Sequence, residues 1–309
     1  AAALASAVPA LAADRFGPLI TPAELAAAQA DPATAPLVLD IRAGTEKDRP
    51  VFETGHIPGA VSAPYGAFRG PKESPGALVP EDKLTATLRA LGVTRDRPTV
   101  IAHAGSSTTD FGAAARVYWT LKSVGVSHLA ILNGGTEGWV LAGLPLEEGA
   151  NPATPSDITV AAYEDTWLAT RDEVLAIVEG REKARLVDAR PEEFWKGDTA
   201  HAAAARPGTL PQSQFLVHST WFTKQPTVID AEAAKALAEA AGYSADEQLV
   251  SFCNTGHWAA TNWFALNELA GVDTKLYPES MVGWSNAGLP MENVPGPLRN
   301  LLNQIKSIF

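Results

Sequence analysis

The sequence predicts an α/β protein of two duplicated domains, each a parallel sheet flanked by helices on both faces. Short apolar segments, typical of strands that are buried on both faces, alternate with segments of helical periodicity. The second half of the chain also repeats motifs of the first half in the same order. A chain of 309 residues, 46% of them hydrophobic, is long enough to form a core in each half.

The first half opens with a helix that Thr21 caps and in which Pro22 takes the first position, where an amide has no partner to lose. Apolar runs and helical periodicity then predict strands at 37–39, 99–102 and 129–132, and helices over 80–91 and 111–124. The first strand runs into Asp40-Ile41-Arg42. A segment rich in turn-forming residues follows at 55–60 and leads the chain back to the sheet.

The second half repeats four motifs of the first at a nearly constant spacing. The pairs are 38–42 with 186–190 (148 residues apart), 57–60 with 206–209 (149 apart), 100–104 with 249–253 (149 apart) and 138–139 with 283–284 (145 apart). Four ordered pairs at such similar offsets indicate that the halves arose by duplication.

The duplication divides the chain into five predicted segments. They are a signal-peptide remnant at 1–13, an N-terminal domain at 14–147, a linker at 148–157, a C-terminal domain at 158–296 and a helical tail at 297–309. The tail places its apolar residues on one helical face, which we expect to pack on the protein's own surface; these residues are Leu298, Leu301, Leu302, Ile305 and Phe309. Docking of a partner on that face is the alternative.

Residues 1–13 carry no charge, are rich in alanine and end in the small-x-small pattern Ala10-Leu11-Ala12. This composition resembles the end of a secretory signal peptide, so we expect an exported, periplasmic protein. An alanine-rich terminus without a targeting role is the alternative. No other stretch of the sequence is long and apolar enough to span a membrane.

The charge and the cysteine count exclude several classes of function. The net charge of −11 and the lack of any basic run argue against nucleic acid or anionic membrane as partners. An anionic substrate therefore needs a local cation. The single cysteine excludes an internal disulfide and multi-cysteine metal sites, and the six histidines lack metal-ligand spacing, so we expect no cofactor.

The one cysteine, Cys253, lies where a predicted strand ends and a helix is about to begin. Loop amides and the positive end of the helix dipole both favour the thiolate form, which is the nucleophile. A buried structural cysteine is the alternative. The position in the loop, the nearby Gly256 and the duplication favour a functional site.

Several motifs together carry a family resemblance. They are Asp-x-Arg in both halves, Gly-His-Ile-Pro-Gly-Ala at 55–60, Cys-x-x-Gly at 253–256 and the closing Gly-Trp with Ala-Gly-Leu-Pro. With this set the chain resembles a tandem-domain rhodanese of the thiosulfate/mercaptopyruvate sulfurtransferase family. In that family only the C-terminal domain is catalytic. The offset pairs Cys253 with Ala104, which has no sulfur, so the N-terminal domain is expected to be non-catalytic.

The resemblance implies an enzyme in which Cys253 takes sulfur from a small donor as a persulfide and passes it to cyanide, a thiol or a protein acceptor. It implies substrate binding by the loop residues Asn254, Thr255, Gly256, His257 and Trp258, with the amides of 254–259 holding the anion. It also implies that Arg190, supported by Asp188, binds the donor's anionic group. A purely structural Asp188–Arg190 pair is the alternative.

The loop departs from both subtypes of the family. Thiosulfate enzymes usually carry basic residues after the cysteine, where this chain has Asn254 and Thr255. Mercaptopyruvate enzymes tend to have Gly and Ser there and Val-Thr after the glycine, which also differ. We expect thiosulfate as the donor, with 3-mercaptopyruvate as the alternative. His257 either supplies a charge or proton or only fixes the loop, and Trp258 is expected to form a wall.

Other classes of function fit less well. A non-enzymatic binding or scaffold protein is the alternative of another class, because rhodanese-like domains also serve as scaffolds. A cysteine phosphatase would need an arginine where this chain has Ala259. A cysteine protease would need a histidine base and an orienting partner that no motif identifies.

Overall fold

The computed structural model describes residues 16–223 and 227–306. Within them it has two parallel sheets, one in each half, and confirms the predicted α/β architecture. The predicted signal-peptide remnant at 1–13 and the tail residue Phe309 lie outside the described residues. No described helix has the length and apolar character needed to cross a membrane.

The first half contains seven strands and five α-helices among its described residues. The strands are β1 (Leu19–Ile20), β2 (Leu37–Asp40), β3 (Thr45–Glu46), β4 (Arg49–Pro50), β5 (Val61–Ser62), β6 (Thr99–Ala102) and β7 (Leu129–Leu132). The helices are α1 (Pro22–Ala28), α2 (Val51–Thr54), α3 (Glu81–Ala90), α4 (Phe111–Ser123) and α5 (Gly135–Leu141). Five strands form a parallel sheet in the order β1-β7-β6-β2-β5, while β3 and β4 form a small antiparallel hairpin.

The second half repeats this arrangement with four strands and six α-helices among its described residues. The strands are β8 (Arg185–Asp188), β9 (Gln214–Phe215), β10 (Leu249–Phe252) and β11 (Thr274–Leu276). The helices are α6 (Arg171–Val178), α7 (Glu192–Trp195), α8 (Ala231–Ala240), α9 (Trp258–Trp263), α10 (Ser280–Asn286) and α11 (Pro297–Lys306). The sheet is parallel in the order β11-β10-β8-β9.

Both halves open with the same capping arrangement. Thr21 accepts a hydrogen bond from the backbone of Glu24, whose side chain accepts one from the backbone of Thr21 in return. Thr170 and Glu173 form the same box at the start of α6. Each box satisfies two of the amides that a helix start leaves without partners, so the predicted cap at Thr21 is confirmed.

The two halves share one apolar core, which forms where α4 packs against α9. Phe111 and Tyr118 of α4 place their rings 5.6 and 5.1 Å from the ring of Phe264, in the π-helical turn that continues α9. Most side chains of α4 are buried. The interface between the halves is therefore a packed core rather than a hinge-like contact.

Two of the predicted motif pairs are wrong in register. The strand pairings Asp40↔Ala102 and Asp188↔Phe252 give β6 and β10 an offset of 150 residues, not 149. The counterpart of Cys253 is therefore His103 rather than Ala104. Beyond these strands the offset falls from 150 to 147, because the loop that leads to α9 is three residues shorter than the loop that leads to α4.

The predicted pairing of the turn segment 57–60 with 206–209 is the second one that is wrong in register. β5 and β9 pair with equivalent strands, and Ser62 and Phe215 are 153 residues apart. Residues 55–60 therefore correspond to 208–213 rather than to the predicted 206–209 alignment. The left-handed residues agree with this register, since Gly59 has φ 74° and Gln212 has φ 60°. The closing motif keeps its predicted offset of 145, because the indoles of Trp139 and Trp284 donate to Pro145 and Pro290.

The tail forms a helix, as predicted, but its apolar face does not pack on the protein's own surface. Leu298 is 73% exposed, and Leu301 is 54% exposed. The contacts of α11 with the rest of the chain are polar, through Arg299 to Asp198 and to the carbonyl of Lys196. The expectation that this face covers the protein itself was therefore wrong for the described residues.

The twin capping boxes give a matched pair of stability tests. We expect Thr21→Ala and Thr170→Ala each to lower the free energy of unfolding by about 1 kcal/mol, because each leaves helix-start amides without acceptors. Thr→Ser at the same positions keeps the accepting hydroxyl and should cost far less. Urea unfolding followed by circular dichroism measures both, and equal stability of the alanine and serine proteins would contradict the prediction.

Candidate active site

Cys253 lies at the carboxyl edge of the second sheet, directly after β10 and five residues before α9. This is the position that the sequence predicted. We call residues 253–258 the cysteine loop. The Cys253 amide donates to Ser280 Oγ over 3.0 Å, and its carbonyl accepts from Met281 over 2.9 Å. The loop is thus anchored to the start of α10.

The backbone amides of residues 254–259 find no hydrogen-bond acceptor among the residues that the structure describes. A buried amide without an acceptor is uncommon, because it costs free energy comparable to a lost hydrogen bond. Consecutive amides of this kind at the start of a helix are typical of an anion site. The amides therefore suit the predicted stabilisation of a negative charge on Cys253.

Two arginines of the N-terminal half hold the carbonyl side of the loop. Arg69 donates to the carbonyl of Thr255 over 2.7 Å. Arg116 donates to the carbonyl of Gly256 over 3.2 Å and, on its other nitrogen, to Gly76 over 3.0 Å. In a planar trans peptide the N–H points away from the C=O. The carbonyls of Thr255 and Gly256 point towards the two arginines. The amides of the same peptide groups, on Gly256 and His257, therefore point away from them.

Arg116 is a buried cation beside the cysteine loop, with only 1% of its surface exposed. Burial, and to a lesser extent the nearby charge of Arg69, lower its pKa to about 10, so it is still protonated at neutral pH. A negative charge on Cys253 acts in the opposite direction and raises the pKa of Arg116. The two groups are therefore close enough for the guanidinium to stabilise a thiolate or persulfide anion.

His257 bridges the halves through both ring nitrogens. Its Nε2 lies 2.6 Å from the carbonyl oxygen of Thr109, which can only accept, so Nε2 carries the proton. Its Nδ1 then accepts from the hydroxyl of Tyr65 over 3.0 Å. Burial lowers the pKa of His257 to about 4, so the ring is neutral. Of the two roles left open by the sequence, this geometry favours fixing the loop.

Two glycines allow the close approach of the halves. Gly256 has φ 67°, and a Cβ there would lie 2.5 Å from Arg116 Nη1 and 2.6 Å from the Pro278 carbonyl. A Cβ on Gly112 of α4 would lie 2.7 Å from the ring of His257. Any larger residue at either position would force the loop and α4 apart.

Trp258 ends the cysteine loop and forms part of its wall. The ring of His218 stacks on the indole at 5.1 Å and 6°, and Phe194 meets it edge-on at 6.0 Å. His218 is buried, which lowers its pKa to about 4. Neither the Trp258 Nε1 nor the His218 Nδ1 has a hydrogen-bond partner among the described residues. Trp258, His218 and Phe194 therefore form an uncharged aromatic wall, in which two ring nitrogens have no hydrogen-bond partner among the described residues.

Arg190 is only 2% exposed, and its guanidinium is almost fully occupied. It forms a bidentate pair with Asp188, at 2.9 and 2.6 Å, and donates to the carbonyl of Gly208 over 2.9 Å. Its remaining nitrogen donates to Asn254 Oδ1 over 3.2 Å. These contacts favour the structural alternative for Arg190 over direct binding of a donor anion.

The first half contains the same pair without a cysteine beside it. Arg42 forms a bidentate pair with Asp40 and donates to the carbonyl of Gly55 over 2.6 Å. The recurrence supports a structural role at both places. Through Asn254, however, Arg190 also fixes the residue next to Cys253.

The sequence did not identify the residues that the N-terminal half contributes, namely Tyr65, Arg69 and Arg116. One signal was available for Arg116, because it is a charged residue in a helix that is otherwise apolar on nearly every face. Such a residue is rarely buried without a partner. Nothing in the sequence alone indicates that the partner is a loop 139 residues further along.

The arrangement is suited to nucleophilic chemistry by sulfur. A single thiol lies among unpaired amides and two guanidinium groups, and no group of three or more His, Cys, Asp or Glu in 16–223 and 227–306 could hold a metal ion. Cys253 is only 1% exposed. The thiol is therefore almost completely covered by neighbouring residues.

Comparison with known proteins agrees with this site. The rhodanese-like domain family matches residues 21–142 and 170–287. This chain belongs to the rhodanese family. The crystal structure of the Escherichia coli 3-mercaptopyruvate sulfotransferase SseA superimposes with a TM-score of 0.69 at 26% identity, over 84% of this chain and 97% of that chain. The fold is thus the rhodanese fold, present twice.

Curated relatives place this rhodanese among the sulfurtransferases. The 3-mercaptopyruvate sulfurtransferase of Escherichia coli is 28% identical over 83% of this chain and 92% of its own length. The sulfur carrier protein TtuD of Thermus thermophilus is 28% identical over 80% of this chain and 88% of its own length. The rhodanese is therefore a sulfurtransferase by family. The domain boundaries and site residues that the sequence predicted stay predictions.

His257 gives a prediction on pH dependence. Its pKa is about 4 in the folded protein and 6.5 ordinarily, so below pH 6.5 the unfolded chain takes up a proton that the folded protein does not. The free energy of unfolding should therefore fall as the pH drops from 6.5 towards 4. His257→Gln should make this fall smaller without abolishing it, because His103 and His218 also have pKa values lowered to about 4. Urea unfolding at a series of pH values measures it.

The matched control is His128→Gln, which removes an exposed histidine outside the interface between the halves. It should leave the pH dependence as in the unsubstituted protein. If His257→Gln behaves in the same way as this control, then His257 does not titrate as its buried geometry requires.

Proposed function

We propose that this rhodanese transfers sulfane sulfur from thiosulfate to a small acceptor through a persulfide on Cys253. The observation that carries the proposal is the run of unpaired amides at 254–259 beside the chain's one thiol. Those amides offer hydrogen bonds to a negative charge that moves from the thiolate sulfur to the outer persulfide sulfur. The charge of Arg116 supports the same anion.

The reaction takes place in two steps, uptake of sulfur by Cys253 and its release to the acceptor. The Cys253 thiolate attacks the outer sulfur of thiosulfate, the sulfur–sulfur bond of the donor breaks, and sulfite leaves with the electron pair. Cyanide then attacks the outer sulfur of the persulfide, and thiocyanate leaves while the thiolate is restored. Covalent catalysis divides one difficult transfer into two easier displacements. Neither step needs a proton, which agrees with the neutral and fully bonded His257.

3-Mercaptopyruvate is the second candidate donor, and the Escherichia coli relative of that name supports it. The two donors differ in what leaves the sulfur. Thiosulfate releases a stable dianion, whereas mercaptopyruvate releases an enolate that must take up a proton. The neutral ring of His257 is occupied at both nitrogens, and this occupation favours thiosulfate. The sulfur carrier relative supports a protein thiol as a further acceptor.

Cys253→Ser tests the proposal, because it replaces the nucleophile with a poor one of similar size. We expect intact-mass analysis to find one additional sulfur atom on the unsubstituted protein after incubation with thiosulfate, and none on the variant. Transfer to cyanide should fall at least about 1,000-fold in the variant. Parallel assays with 3-mercaptopyruvate rank the two donors.

A protein that takes up no sulfur from either donor would refute the enzymatic proposal. It would favour the scaffold alternative if Cys253→Ser also kept every biological activity of the chain. Circular dichroism of the variant provides the control for folding, because Cys253 is buried within the shared core.

A further inference from the structure

Anionic sulfur donors need a cation in a protein whose net charge is −11. The sequence predicted Arg190 for this role, but its contacts with Asp188, Gly208 and Asn254 leave it only one unused donor. The positions after Cys253 carry no basic residue either. The other cations that contact the cysteine loop are Arg69 and Arg116, both from the first half.

Arg116 is the first alternative, but its position suits a structural task. Its two terminal nitrogens donate to the carbonyls of Thr255, Gly256 and Gly76, and only 1% of its surface is exposed. A donor molecule could contact Arg116 only by replacing backbone carbonyls that hold the cysteine loop. Arg116 thus stabilises a negative charge on Cys253 electrostatically, without contacting the donor.

Arg69 differs from Arg116 in one respect. Its Nη2 donates to the carbonyl of Thr255, two residues beyond Cys253, over 2.7 Å. Its Nη1 is buried but has no acceptor among the residues that the structure describes. The guanidinium carbon lies 5.2 Å from the ring centre of Tyr65, which holds the group in one orientation. Arg69 is therefore a fixed cation with one terminal nitrogen unused.

The surroundings of Arg69 belong to both halves. Its charge, together with burial as the larger effect, lowers the pKa of His201, in the segment between α7 and β9. His218 is 4% exposed, and its Nδ1 has no partner in the described part of the chain. The charge of Arg69 also acts on the ring of His257 and helps to lower its pKa. Arg69 and His218 both contact the cysteine loop, and each keeps one nitrogen without a hydrogen-bond partner in the described part of the chain.

We propose that the Nη1 group of Arg69 binds the anionic oxygens of the sulfur donor, so that the non-catalytic half supplies the donor-binding cation. This inference rests on the sulfurtransferase function proposed above. The ligand chemistry is a small oxyanion joined to the transferable sulfur, either the sulfonate end of thiosulfate or the carboxylate of 3-mercaptopyruvate. A guanidinium with one nitrogen on the loop and one on the donor fixes the donor relative to Cys253.

Arg69→Gln tests the proposal by removing the charge at similar length. We expect KM for thiosulfate to rise about 10- to 100-fold with a smaller change in kcat, because a charge-assisted hydrogen bond to the donor is lost. Arg69→Lys should recover part of the loss. The matched control is Arg89→Gln, which removes hydrogen bonds to Ile158 and Thr159 remote from Cys253 and should leave KM unchanged. Assays with 3-mercaptopyruvate show which oxyanion depends on Arg69.

Alkylation of Cys253 supplies a readout that does not depend on sulfur transfer. Iodoacetate and iodoacetamide are similar in size, but only iodoacetate is an anion. The ratio of their rates should be higher for Cys253 than for a free cysteine thiol, and Arg69→Gln should lower it. A ratio for the unsubstituted protein no higher than that of the free thiol overturns the proposal without any variant.

Two further outcomes are decisive. If Arg69→Gln slows both reagents equally and lowers kcat at constant KM, Arg69 only positions the loop, and the proposal is wrong. If the unsubstituted protein prefers iodoacetate but takes up no sulfur from either donor, the anion site stands and the proposed sulfurtransferase function fails.

Discussion

The structure depends on the contact between two guanidinium groups of one half and the backbone carbonyls of the other. Arg69 and Arg116 reach across the interface and donate hydrogen bonds to carbonyls of the cysteine loop. Because each peptide group is planar, fixing its carbonyl also fixes the direction of the amide that follows. Hydrogen bonds from a charged donor are roughly twice as strong as neutral ones, and burial strengthens them further. The loop is thus preorganised for an anion before any donor arrives, which avoids the cost of ordering it during the reaction.

The glycines and the shared core make this contact geometrically feasible. Gly112 lets the His257 ring approach the backbone of α4, and Gly256 lets the loop turn beside Arg116. Phe111 of α4 and Phe264 are fully buried and pack against each other across the interface. Arg116 is buried as well, so its hydrogen bonds to the loop carbonyls act in a medium of low polarity.

Most of the fold followed from the sequence, because each buried strand and each long helix has its own hydrophobic pattern. Cys253, its loop and the Asp-x-Arg pairs were also identified from local motifs. The register of the duplication was not, since loops of different length shift the offset without leaving a trace in the motifs themselves. The cations from the first half were missed for a related reason: Arg69 and Cys253 are brought together by tertiary packing alone, which no short-range pattern encodes.

The first half has His103 where the second half has Cys253, yet the second half depends on the first. The first half supports the cysteine loop of the second half, and its removal would take away the hydrogen bonds that orient this loop. The second half on its own would therefore lack Tyr65, Arg69 and Arg116, and other contacts would have to hold its cysteine loop.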